Sequence, residues 1–144
     1  MGLAELNPVL LMQVRARLRM RQIMPPIFSL LVFTTAICWW TVASAKGAQA
    51  GFASLLAIQA ILLHGLGSSH VATAIASARE SGIMDFHRVS PLPPRTLALG
   101  FILGAPAREV LMAALILPFI IGIAAWGQLP LDRVLLMELL LLVT

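Results

Sequence analysis

Apolar residues in this chain gather into blocks near twenty residues long, and charge and turn residues collect in the short stretches between them. A bilayer core of about 30 Å needs roughly twenty apolar residues of helix to cross it. The first block, residues 26–45, draws its apolar content from Ile27, Phe28, Leu30, Leu31, Val32, Phe33, Ile37 and Val42, with Trp39 and Trp40 near its far end, where aromatic belts form. A turn through Lys46 and Gly47 leads to a second block, residues 51–75. Its first half is rich in Leu and Ile, and its second half turns small and polar through Gly65, Gly67, Ser68, Ser69 and His70. Small residues of that kind allow helices to pack closely or to line a cavity. The run 96–127 would be about 48 Å long as one helix, too long for a simple crossing. The break at Gly104, Ala105 and Pro106 divides it into a short helix, 95–103, and a third span, 107–126. A fourth run, 133–144, reaches only about halfway across, which predicts that the chain is the N-terminal part of a larger membrane domain.

Ahead of the first span, Asn7 and Pro8 form a helix-start signal, with Asn as cap and Pro in the first turn. Residues 7–22 then interleave Leu10, Leu11, Met12, Val14 and Leu18 with Arg15, Arg17, Arg19 and Arg21. On a helix the arginines make two stripes, Arg15 with Arg19 and Arg17 with Arg21. The stretch reads as an interfacial helix whose arginines snorkel to the headgroups, or as a basic tail that only sets topology. The expected architecture is therefore an all-α integral membrane protein with an N-terminal interfacial helix, three transmembrane helices and a partial fourth.

Composition sharpens this reading. Hydrophobic residues make up 60% of the chain and charged residues 11%, less than half the share of a usual soluble domain. Cys38 is the one cysteine, so no disulfide can form within the chain. The net charge of +4 is not a nucleic-acid signature, because the basic residues flank apolar blocks and build no soluble basic face. They set orientation instead. With the N-terminus inside, Arg15, Arg17, Arg19, Arg21, Arg79, Arg88, Arg95 and Arg108 lie on the cytoplasmic side, and Lys46 and Arg133 on the other. Eight against two predicts a multi-pass protein of the cell membrane with a cytoplasmic N-terminus.

No arrangement of residues predicts catalysis, a cofactor or a metal. The chain has no phosphate-binding G-x-x-x-x-G-K-[ST] run. His64 and His70 are six residues apart, so one regular α-helix cannot aim both at one ion; each is expected to hydrogen-bond across the bundle. Gln59 reads as a packing or cavity residue. Glu138 marks a substrate or proton path, lies near the outer interface, or is neutralised by a proton. Arg108 and Glu109 read as an interfacial anchor, and Gly100 with Gly104 as a weak close-approach motif.

The long polar insert, 78–95, has the most shape. Arg79, Glu80, Asp85, Arg88 and Arg95 charge it, Gly82 permits a sharp turn, and Ile83, Met84 and Phe86 expose apolar groups on the predicted cytoplasmic side. These make a docking knob for a partner, or a solvated loop dipping into headgroups. Pro91, Pro93 and Pro94 stiffen its exit.

Two stretches resemble a known family. Glu80-Ser81-Gly82-Ile83-Met84-Asp85-Phe86, followed by Ser90-Pro91-Leu92-Pro93-Pro94-Arg95, looks like the charged loop of ABC-2 type transporter permeases. Asn7-Pro8-Val9-Leu10 with Arg15 and Arg17 is similar to their opening. Gln13, Ile83, Phe86, Ser90 and Phe101 depart from the family's usual residues. The resemblance implies a permease subunit of an ATP-driven transporter, an exporter rather than an enzyme. Glu80, Gly82, Ile83, Met84, Asp85 and Phe86 would be its coupling helix, seated in a separate ABC ATPase subunit that binds ATP and magnesium. A second permease subunit, identical or different, would complete the pore in the lipid bilayer. The alternative is a stand-alone membrane scaffold or assembly subunit without transport activity.

Overall fold

The computed structural model describes residues 7–44, 47–82 and 93–143. Every regular element among them is helical. Helix α1 is Pro8–Arg17 and α2 is Met20–Ala43. Next come α3, Ala48–Ala60, a π-helical segment, Ile61–Gly67, and α4, Ser68–Glu80. After the insert follow α5, Pro94–Gly104, α6, Ala107–Trp126, and α7, Leu131–Val143. Among the described residues, three helices are long and apolar enough to cross a membrane: Met20–Ala43, Ala48–Glu80 and Ala107–Trp126. The protein is thus an all-helical chain of membrane type.

Several predicted boundaries move. The helix expected over 7–22 stops at Arg17, with Leu18 as its C-cap. Like charges stacked four residues apart repel, and the break separates Arg15 from Arg19 and Arg17 from Arg21. The first span starts at Met20 and carries Pro25 and Pro26 inside it. Both prolines lie beyond the first turn, so each removes one N–H from the helix ladder. The second span continues to Glu80, 33 residues in all. The third, Ala107–Trp126, has the bounds read from the sequence.

The π-helical segment interrupts the second span where glycines lower the preference for a regular α-helix. Hydroxyls meet the carbonyls where the α-helix resumes. Ser68 Oγ donates to the His64 carbonyl, and Ser69 Oγ to that of Leu66 at 2.8 Å.

The chain forms two compact units. The first comprises Met1–Met24 and Leu63–Leu111, so among its described residues it holds α1, α4 and α5 with the adjoining ends of longer helices. Val9, Ala78 and Phe101 form its apolar centre, flanked by Ala74 and Leu97. The second comprises Pro25–Leu62 and Met112–Thr144. Its core is large and branched: Leu30, Leu55, Leu62, Ile116, Ile120 and Ile123 are buried together with smaller neighbours. Buried Thr34 and Thr41 satisfy their hydroxyls on carbonyls of their own helix, Leu30 and Ile37. At the turn after α6, a Cβ on Gly127 would overlap that of Ala48, so only glycine fits there.

Candidate functional site

The insert is rooted in the first unit at both ends. Glu80 is the exposed last residue of α4. Ser81 caps that helix, its N–H bonded to the Ser77 carbonyl at 3.0 Å, and the Gly82 N–H bonds to the Arg79 carbonyl at 3.2 Å. Gly82 has φ +71°, the left-handed conformation that ends helices and that side chains with a Cβ resist. The sharp turn read from the sequence is therefore present. Ile83, Met84, Asp85 and Phe86 lie outside the described residues. On the far side Pro93 precedes α5 and Pro94 opens it.

Helix α1 is fastened onto α5. Asn7 Oδ1 accepts from the N–H groups of Val9 and Leu10, both at 3.1 Å, while its Nδ2 donates to the Thr96 carbonyl at 2.8 Å. One side chain thus caps α1 and ties it to α5. Along the contact, a Cβ on Gly100 would come within 2.8 Å of the Val9 Cβ and 3.1 Å of the Leu10 backbone nitrogen. On Gly104 it would lie 2.7 Å from the Gln13 Cβ and 3.3 Å from the Leu10 carbonyl oxygen. The G-x-x-x-G motif therefore serves close approach of two helices. Ala78, at the other root of the insert, packs with Val9 and Phe101. The result is one body containing α1, the end of α4 and α5.

The four arginines read as one interfacial set are divided by the local structure. Arg15 and Arg17 occupy the last turn of α1, where positive charge suits the helix C-terminus. Arg19 lies in the break and Arg21 in the first turn of α2; Arg15, Arg19 and Arg21 are exposed.

A second feature of this unit was read differently from the sequence. Arg108 and Glu109 were expected to anchor at an interface, yet Glu109 has only 1% of its side chain exposed. Arg108 Nε donates to Glu109 Oε1 at 2.9 Å, and Arg108 Nη2 lies 2.8 Å from the same oxygen. His70 Nε2 lies 3.1 Å from Arg108 Nη2 and 3.3 Å from Glu109 Oε1. The imidazole does reach another helix, as expected, and its partners are these two charged groups. Glu109 stands in the first turn of α6, where the helix dipole favours an anion. Its Oε2 is buried without a hydrogen-bond partner.

The second unit holds a separate polar pair. Gln59 Nε2 donates to Glu138 Oε2 at 3.0 Å and approaches the Ala113 carbonyl at 3.4 Å. Both side chains belong to buried residues, with Gln59 2% and Glu138 7% exposed. Reading either residue alone left its role open, and the sequence gives no sign that the two meet.

Among the described residues, no group of three His, Cys, Asp or Glu side chains could hold a metal ion. The geometry is that of helix packing around buried polar contacts. No family model, curated protein or solved structure matches this chain.

Proposed function

We propose that this chain belongs to a permease subunit of an ABC-2 type transporter, working as an exporter with a separate ATPase subunit. The supporting observation is that both roots of the insert and the basic N-terminal helix share one packed body through Val9, Ala78 and Phe101. Force applied at residues 80–86 would move α1, α4 and α5 together, because glycine-mediated contact and the Asn7 tie leave little slack. The long helices Ala48–Glu80 and Ala107–Trp126 begin or end in this same body, so its movement would tilt membrane spans. Nucleotide state in the partner would then bias the permease between two packed arrangements. In this reading α1 lies at the cytoplasmic membrane face, α7 begins a fourth span, and a second permease subunit completes the pathway.

The reading is tested by co-expressing the chain with any Walker-motif protein encoded beside it and extracting the membranes in mild detergent. The expected result is co-purification, abolished by Glu80→Arg with Phe86→Ala while membrane insertion is unchanged. Undiminished capture by that double variant would sink the coupling assignment. The absence of a neighbouring ATPase would favour the scaffold alternative.

A further inference from the structure

In the second unit, the Gln59–Glu138 pair leaves two buried oxygens unpartnered: Gln59 Oε1 and Glu138 Oε1. Both are acceptors, and their side chains are already joined through Gln59 Nε2 and Glu138 Oε2 at 3.0 Å. An amide and a carboxylic acid can pair as a ring, the amide N–H donating to one acid oxygen and the acid O–H donating to the amide oxygen. One half of that ring is the observed bond. The two orphan oxygens are the atoms its other half would use.

We propose that Gln59 and Glu138 form a proton-binding site inside the membrane domain. Glu138 takes one proton from water on Oε1 and donates it in a hydrogen bond to Gln59 Oε1, while Gln59 Nε2–H continues to donate to Glu138 Oε2. The proton returns to water on release, and no covalent bond other than O–H forms or breaks. A single proton thereby satisfies both orphan acceptors and removes a charge from an apolar core.

The surroundings fit a neutral acid. Leu55 on α3 and Leu62 in the π-helical segment lie one turn to either side of Gln59, Val134 lies one turn before Glu138 on α7, and Met112 and Ile116 flank Ala113 on α6. All five belong to the apolar core of this unit. Among its described residues, α3 and the α6 stretch carry no titratable side chain, α2 contributes only Cys38, and Asp132 and Arg133 are exposed in the first turn of α7. No ion pair joins Glu138 to a described cation. Release of the proton would leave a carboxylate facing an amide oxygen and weaken the contact between α3 and α7, so the pair is a proton-sensitive latch as well as a site.

The test uses the chain reconstituted in lipid vesicles near neutral pH. Infrared spectroscopy should show the carbonyl band of a protonated carboxylic acid, shifted in heavy water and lost in Glu138→Gln, which can still pair with Gln59. In Gln59→Leu the band should persist but move to the position of an acid without its cyclic partner. Dicyclohexylcarbodiimide, an apolar reagent for protonated carboxyls, should label Glu138 and leave Glu138→Gln unlabelled at that residue. Circular dichroism checks that each variant keeps its helices. A folded protein without the acid band, or one whose band is unmoved by Gln59→Leu, overturns the proposal. These readouts need neither partner nor transport, so failure of the permease reading would not touch them.

Discussion

The two units are held together by opposite means. The second fills space: Leu55, Ile116 and Ile120 are fully buried, and branched side chains from several helices meet around them. The first removes atoms: a close helix contact in it depends on Gly100 and Gly104, and its apolar cluster among the described residues is small, Val9, Ala78 and Phe101. The first unit also carries Arg15, Arg17, Arg19, Arg21, Arg79, Arg95 and Arg108 among its described residues. Lipid tails are as apolar as leucine, so burial alone drives helices together weakly in a membrane. One remedy is well-matched volume; the other is close backbone approach reinforced by polar bonds. Gly51 and Gly127 are local exceptions in the second unit, where helix ends meet turns. Elsewhere the expected response to substitution inverts between units: shrinking a residue harms the second, and enlarging one harms the first.

The largest test of that inversion is Leu55→Ala. It opens a void in a filled core and should cost about 3 kcal/mol. The check is the midpoint of unfolding in mixed detergent micelles, where a large fall is expected. A near-neutral result would mean that this core is loosely packed. The complementary change is Gly100→Leu in the first unit, which pushes a branched side chain against Val9 and the Leu10 backbone. It should cost about 2 kcal/mol, in the usual range for overpacking. Limited proteolysis should then show α1 released from α5 while fragments of the second unit stay protected. If both units loosened equally, the division of labour between them would fail.

The pattern of apolar blocks made the spans legible. The third was bounded correctly because Pro106 and Gly127 punctuate it, and α5 came within one residue at each end, its terminal Pro94 and Gly104 having been left outside. The start of α2 was misplaced because Pro25 and Pro26 read as a boundary, whereas the helix carries both inside it. The second span was bounded at 75, whereas its helix runs on to Glu80, past a π-helical segment, Ile61–Gly67, that lies ahead of the small polar residues Ser68 and Ser69. The buried polar contacts were the least legible. His70 meets Arg108 across 38 positions, and Gln59 meets Glu138 across 79. Hydrophobic periodicity reports which face of a helix is buried and says nothing about which distant side chain shares it. The coupling role proposed for Ile83, Met84, Asp85 and Phe86 rests on the apolar pattern of the insert and on the family resemblance, and these residues lie outside the described ones.

The finest test of the contrast concerns Asn7, because one side chain there does two jobs. Its oxygen caps α1 at Val9 and Leu10, and its amide nitrogen holds the Thr96 carbonyl of α5. Asn7→Ala removes both and should cost about 1 kcal/mol, the usual worth of a helix cap. Asn7→Ser keeps an oxygen that can cap the helix but is too short to replace the amide tie. Hydrogen exchange separates the roles. The Val9 and Leu10 amides should exchange faster in the alanine variant and stay near their original rate in the serine variant, whereas proteolysis between α1 and α2 should increase in both. If serine restored full resistance, the glycine contact alone would hold α1 on α5, and the polar tie would be secondary to close packing in this unit.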